Sequence, residues 1–407
     1  MRHYIRYTLY IIGMLLLATP AQADTATPPW ANAVPQGDST RLSLLTCGPG
    51  GDIYTLFGHT AIRYEEPTQG IDVVFHYGVF DFGTPNFVLR FALGETDYRM
   101  GAERFDDFAA QYQLYGRSVW QQTLNLTNGE KDRLILLLQS NYRPENRTYR
   151  YNFFYDNCAT RPRDKIEACT LGRVEYPNAA QQDSTRSYRD IVHQYAKGHP
   201  WSRFGMDLCL GAEADRPISA RAMMFVPLIL MDDFASAKIV DGDESRPLVK
   251  GKAELIVDAT PTEEDGWTPT PLSCSLLLFI ATAAVSIYGI RRRKGLWGVD
   301  LALFAIAGLA GCVLTFLSLL SLHPAVHQNW LLLVFHPLHL LLVPYIVHCE
   351  RKGKKCWYMA VNLVVLTLFI LFYALIPQRF DFAVVPLALC LLARSASHLI
   401  ITAKKKE

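Results

Sequence analysis

Phe153-Phe154-Tyr155-Asp156-Asn157-Cys158-Ala159-Thr160-Arg161 is the stretch on which the fold of the N-terminal half turns. Asn157 is a helix-capping residue, and the helix it opens is predicted to run from Cys158 to about Cys169. Pro162 lies near its start, where a missing N–H does least harm. A thiol at such a start faces unpaired backbone N–H groups and the positive end of the helix dipole. Both favour a thiolate, and the same N–H groups can receive an oxyanion. Arg161 and Arg163 add positive charge and are candidate contacts for a phosphate or an oxyanion. The alternative for them is a solvated helix face shared with Asp164 and Glu167.

The second decisive stretch lies upstream: Leu56-Phe57-Gly58-His59-Thr60-Ala61-Ile62-Arg63. His59 enters a predicted strand, where a rigid element can aim a base. His76 lies on the next strand and is placed to orient His59 through its second ring nitrogen. Cys158 with His59 and His76 follows the nucleophile–base–orienter logic of thiol hydrolases and acyltransferases. Tyr54 and Arg63 flank the histidine stretch; Tyr54 is a candidate substrate contact. A cysteine in an oxidising compartment is also a disulfide partner or a small core residue. Cys169–Cys209 is the preferred pair, with Cys47 left open. His59, His76, Asp52, Asp72 and Asp81 could make an O/N metal site, but no HExxH or CxxC spacing supports one. Neither a metal nor a cofactor is expected.

Around these stretches the pattern is α+β. Strands are predicted over Leu42 to Thr46, Thr60 to Tyr64, Ile71 to Tyr77 and Ser118 to Leu124. Thr127 and Glu130 form a capping box opening a helix from Asn128 to about Tyr142, with Leu134, Leu137 and Leu138 on its apolar face. Residues 24–40 read as a linker, 41–238 as the compact domain, and 239–270 as an acidic juxtamembrane stalk with one strand around 253–257.

The 407 residues carry a net charge of +2, which argues against a nucleic-acid partner. By segment the chain is not neutral. Residues 24–270 hold 25 basic and 34 acidic residues, net −9; residues 271–407 hold 13 basic and 4 acidic, net +9. Residues 1–23 read as a signal peptide: Arg2 and Arg6, an apolar stretch from Leu9 to Leu17, and Ala21-Gln22-Ala23 as cleavage site. An uncleaved anchor is the alternative. Five apolar runs follow the head, at about 271–290, 301–322, 330–348, 357–376 and 383–403, each near the length that spans a bilayer. Basic clusters at 291–294, 351–355 and 404–406 follow runs one, three and five. The positive-inside rule then puts the C-terminus in the cytoplasm and the head in the periplasm, at an inner membrane. Four spans with a re-entrant hairpin would break that alternation. His336, His339, Arg394 and His398 fall inside runs. A packing or headgroup role is favoured for the first two, and snorkelling is open to the last two.

The order His59, then Cys158, resembles the circularly permuted branch of the papain-like superfamily, which includes lecithin–retinol acyltransferase-like enzymes. Two longer strings look like the signatures of the Lnb family, the lipoprotein N-acyltransferases of the Bacteroides type: residues 44–59, LLTCGPGGDIYTLFGH, and 151–161, YNFFYDNCATR. A third, Val74 to Phe82, is similar to a motif usually written with Asn where this chain has His76. The resemblance implies an α+β permuted papain-like periplasmic domain followed by an all-α five-helix transmembrane domain. It also implies that an acyl chain passes from a phospholipid or other lipid donor to Cys158 as a thioester. From there it would pass to the α-amine of a diacylated lipoprotein's diacylglyceryl-cysteine. The donor lipid, the lipoprotein and the membrane are the expected partners. A papain-like peptidoglycan amidopeptidase and a non-enzymatic sensor or assembly factor are the other readings. The last predicts that Cys158 is disulfide-bonded or far from His59.

Overall fold

The computed structural model describes residues 29–33, 37–81, 83–177, 185–259 and 268–404. The expected signal peptide and its cleavage site lie outside the described residues. Met1–Val34 is a unit of its own, described only as a 3-10 turn at Pro29–Asn32. Pro35–Glu407 is one unit holding the head and the membrane helices.

The head is built on a seven-stranded sheet in the order β10-β5-β1-β2-β3-β4-β6. Its strands are β1 Arg41–Cys47, β2 His59–Glu66, β3 Ile71–Val79, β4 Asp97–Arg104, β5 Val119–Thr123, β6 Thr148–Arg150 and β10 Glu254–Val257. Every pairing is antiparallel. β1 is central, flanked by β5 and β2, and all but its first residue is buried. Both its faces are covered, so Ser43 and Thr46 are buried along with Leu42, Leu44, Leu45 and Cys47. Fully buried Leu42, Leu44 and Leu45 contribute about 2 kcal/mol each by burial.

Helix α1 spans Phe87–Leu93 and α2 spans Phe105–Leu114. α2 lays Phe108 and Tyr112 on Leu45, Cys47, Ala61, Val74 and Val119. α3, Asn128–Tyr142, opens on the Thr127–Glu130 capping box and buries Leu134, Ile135 and Leu138. α4 is Thr160–Cys169, α5 Tyr188–Tyr195, α6 Pro200–Cys209 and α7 Pro227–Ser236. Leu56, Phe57, Phe154, Tyr188, Phe225 and Ile229 form a second core beside the first. β7 Arg173–Glu175, β8 Lys238–Asp241 and β9 Glu244–Pro247 make a small second sheet. The stretch expected as a stalk thus supplies strands to both sheets, because β10 pairs with β5.

The C-terminal region is helical: α8 Pro271–Arg291, α9 Trp297–Leu320, α10 Pro337–Lys352, α11 Trp357–Leu371 and α12 Val384–Lys404. Among the described residues four segments are long and apolar enough to cross a membrane, the third taken from Pro324 through the 3-10 turns to Lys352; Trp357–Leu371 is shorter, and a 3-10 turn at Tyr373–Leu375 follows it. The run expected from 330 opens as a 3-10 turn, Trp330–Leu333, before His336 caps α10. His339 is buried: Nδ1 accepts from the Tyr358 hydroxyl (2.8 Å) and Nε2 donates to Val334 O (3.0 Å). Arg394 and His398 do not snorkel. Both are buried against Asp300 and Glu350 on neighbouring helices, because an inward partner removes the need to reach the interface.

The head rests on two connections between membrane helices, 321–336 and 372–383. The N–H of Leu322 donates to Leu93 O (2.8 Å), that of Gly211 to Ala325 O (2.9 Å), and Gln378 Nε2 to Leu210 O (2.9 Å). Arg379 reaches Asp190 (2.6 Å), Asp215 (3.1 Å) and the Ser187 hydroxyl (2.7 Å).

Candidate active site

Cys158 lies two residues before the first turn of α4. Asn157 is the reason. Its Oδ1 accepts from the N–H groups of Ala159 (2.8 Å) and Thr160 (3.0 Å), while Nδ2 donates to Phe153 O and Phe225 O (both 2.8 Å). The Asn157 side chain therefore fixes the turn and starts the helix later than the composition suggests. The Cys158 thiol lies close enough to the N–H of Thr60 and to its own N–H for both to favour its thiolate. Thr60 follows His59, so the thiol stands at the end of β2 where the histidine enters it. On its other side lies Gly78, in a left-handed conformation (φ +94°) where the β3–β4 register shifts. A Cβ on Gly78 would stand 3.8 Å from Cβ of Cys158.

His59 pairs with Cys47 across β1 and β2. Its ring lies edge-on to that of His76, centroids 5.6 Å apart. The expected ring-to-ring hydrogen bond is not made among the described residues: His76 Nε2 points to Glu103 Oε1 at 3.3 Å. It crosses Gly101, where a Cβ would stand 2.8 Å from that nitrogen, so the bare glycine lets the imidazole lie flat on β4. His59, His76 and Cys158 are all part-exposed, open to a reactant.

Desolvation dominates the electrostatics. Burial pushes the Cys158 thiol up to about 11, against the downward pull of the Thr60 N–H, its own N–H and Arg117. This corrects the expectation of a thiol lowered by the helix start: the N–H groups are there, but loss of water outweighs them. Burial, with His76 and Arg117 in support, holds His59 well below 6.5, and burial takes His76 down to about 4. The resting pair is neutral thiol and neutral imidazole.

Arg117 and Tyr112 escaped sequence reasoning. Arg117 Nε donates to Gly48 O (2.9 Å), and its guanidinium stands 4.8 Å from the Tyr112 ring centroid. Its Nη2 is buried with no hydrogen-bond partner among the described residues. Its charge acts on Cys47, His59 and Cys158 together. Arg117 stands two residues ahead of Val119, the partner of Cys47, and only that pairing brings it to the site. Cys47 is fully buried, packed with Tyr112 and pushed up to about 12 by burial, so it is the inert thiol of the two.

With this geometry established, comparison with known families is decisive. Residues 26–196 match the model of the Lnb N-terminal periplasmic domain, and residues 262–406 match that of the Lnb transmembrane domain. The chain belongs to the Lnb family. No curated protein and no solved structure matches it. The Lnb assignment makes it a membrane protein with a periplasmic head.

Other residues singled out in this Lnb chain lie as follows. Arg161 is clamped by Asp156 (2.6 and 2.7 Å) and stacks on Tyr149 at 3.5 Å. Arg163 is buried, paired with Asp164 (2.8 Å) and bonded to Arg221 O (3.1 Å). Both guanidiniums are tied to α4 or its approach by these contacts. Tyr54 is 59% exposed, its hydroxyl donating to Asp52 (3.1 Å). The expected Cys169–Cys209 disulfide is absent; all described cysteines are free. Cys169 ends α4 and donates to Ile166 O (3.0 Å), while Cys209 ends α6, next to Leu208 and Leu210, whose carbonyls accept from the membrane connections. The residues weighed as metal ligands are spent elsewhere: Asp72 on Arg63 (2.7 Å), Asp81 on the Gly83 N–H (2.8 Å), Asp52 on Tyr54.

Proposed function

We propose that this Lnb protein is a lipoprotein N-acyltransferase working through a Cys158 thioester. The observation that carries the reading is the Cys158 thiol lying close to the N–H of Thr60, the residue after His59, in a head that rests on the membrane helices' connections. His59 takes the thiol proton as Cys158 attacks the ester carbonyl of a lipid donor. The N–H of Cys158 is positioned to receive the oxyanion, and Arg117 adds positive charge. The carbonyl C–O bond breaks, and His59 returns the proton to the leaving lyso-lipid hydroxyl. In the second half the α-amine of a diacylglyceryl-cysteine attacks the thioester. The C–S bond breaks, an amide forms, and the amine's proton passes through His59 to the released sulfur. His76 acts as a positioning residue, holding His59 edge-on. A neutral resting pair suits an enzyme whose thiol is ionised only when an ester is in place.

The membrane domain keeps donor and acceptor at high effective concentration beside the head. Its basic clusters lie away from the connections that carry the head, which supports a cytoplasmic C-terminus. The test is Cys158→Ala and His59→Ala in cells that depend on this chain, with mass spectrometry of lipoprotein N-terminal peptides. Loss of the N-acyl group with normal membrane accumulation is expected. Unchanged N-acylation would sink the mechanism.

A further inference from the structure

Between the candidate site and the membrane helices runs a row of aromatic rings that the reaction as described does not use. Phe80, two residues beyond the Gly78 that faces Cys158, is part of this row, and at its inner end Tyr151 stacks on Tyr98 at 4.1 Å. Tyr98 stacks on Phe80 (5.1 Å), Phe80 on Phe87 (5.5 Å), and Phe87 on Phe91 (6.4 Å); Phe91 meets the ring of His323 at 5.9 Å. His323 belongs to the connection after α9, so the row passes two residues from the glycine that faces the thiol and ends where a membrane helix emerges.

The far end is α1, and its exposed surface is apolar. Val88 is 78% exposed, Leu89 50% and Phe91 41%. Single exposed apolar side chains need no explanation, but a contiguous set is a different matter. The one charge on α1, Arg90, is drawn back to the head by Asp97 (3.2 Å) and Glu95 O (3.1 Å). Leu93 O accepts the N–H of Leu322, and Leu319, Leu320 and Leu322 at the end of α9 are themselves exposed. The apolar face of α1 therefore lies beside the exposed leucines at the end of α9, with His323 bonding Phe91 O (3.0 Å) between them.

We propose that this aromatic row is the path by which the acyl chain of a bilayer lipid, the donor, reaches Cys158, with α1 lying in the membrane interface as its entrance. The proposal rests on the thioester reading above. The donor is the occupant because the row passes two residues from the glycine that faces the sulfur, which the acyl carbonyl must meet first. An apolar lining also suits a chain that leaves the bilayer without meeting water.

The test uses the full chain in vesicles of phosphatidylethanolamine and phosphatidylglycerol, with acylation of Cys158 read by mass spectrometry. Two donors are compared: the vesicle lipid and a water-soluble butyryl ester, which needs no path. A double variant, Val88→Glu with Leu89→Glu, changes exposed side chains only. Its acylation by vesicle lipid is expected to fall at least tenfold, through KM, while acylation by the butyryl ester stays within twofold of the wild type. Phe87→Leu, which removes one ring at similar volume, is expected to act in the same sense more weakly. Equal acylation of wild type and double variant by vesicle lipid would overturn the path, as would a parallel fall with both donors. A wild-type Cys158 that accepts acyl from neither donor would overturn the thioester reading itself, and the path with it.

Discussion

Cys158, His59 and Arg117 in the head, and Asp300, Arg394, Glu350 and His398 among the membrane helices, are both clusters of ionisable groups in apolar surroundings. They are partnered in opposite ways. In the membrane cluster Arg394 holds Asp300 with two bonds (2.6 and 3.0 Å) and reaches the Ser286 hydroxyl (3.2 Å). His398 Nδ1 donates to Glu350 (2.8 Å), and its Nε2 accepts the Cys356 N–H (3.1 Å). In the head, neither ring nitrogen of His59 makes a hydrogen bond among the described residues, and Arg117 keeps a buried donor unspent. A saturated network has no capacity left for a reactant, so ionisable groups within a membrane are here architecture. The open cluster is part-exposed and has bonds still to make, which is what a transition state requires.

The largest effect expected from this contrast is at the thiol. Cys158→Ser should cut lipoprotein N-acylation by about 10³-fold or more, since residues that act as one nucleophilic unit fail together. The amount of chain in the membrane fraction should not change. Next comes the saturated cluster. Arg394→Ala leaves the Asp300 carboxylate buried without its partner, a loss of about 3–5 kcal/mol that should appear as depleted folded chain. Replacing both by leucine should restore accumulation and N-acylation together. Restored accumulation with dead catalysis would mean that the membrane cluster has a chemical role after all.

Much of this contrast was legible in the residues, and the illegible part has a common cause. β1, β2, β3, β5 and α3 lie within a residue or two of their predicted bounds, because alternation and a capping box are local signals. β4 is not apparent: Asp97–Arg104 is a charged stretch with only Tyr98 and Met100 buried. Cys158 and His59 were readable from their flanking motifs. Arg117 was not, because it joins the site only through the pairing of β5 with β1. The partners of Arg161 and Arg394 were not legible for the same reason: Tyr149 and Asp300 come from other elements.

Arg117→Gln asks whether the unspent donor matters. A cation acting on both Cys158 and His59 in part-exposed surroundings is worth about 1–2 kcal/mol to a thiolate. Alkylation of Cys158 by iodoacetamide, followed on its peptide, should slow roughly tenfold at neutral pH, with the rate–pH curve displaced upward. A rate and curve equal to the wild type would reduce Arg117 to a brace for Gly48.

The smallest expected effect is in acid, and it isolates His76. Its folded value is held down to about 4 by burial, while an unfolded chain titrates near 6.5. Above 6.5 both states are neutral at this site and stability does not depend on pH. Below it the unfolded chain gains a proton that the fold refuses, so stability falls as pH drops from 6.5 towards 4. The His76 share of the loss between pH 7 and 5.5 is about 1 kcal/mol, read as a lower thermal midpoint of the full chain in lipid nanodiscs. His76→Asn should flatten part of that fall; His59, held low by the same cause, accounts for the remainder. If the variant keeps the whole slope, His76 titrates alike in the folded and unfolded chain and burial is not the governing force; a steeper fall would mean that the Glu103 carboxylate at 3.3 Å stabilises a charged imidazole. Because burial holds His59 well below 6.5, it remains able to take the thiol proton as the pH falls through 6.5, and acyl transfer should outlast the first loss of stability.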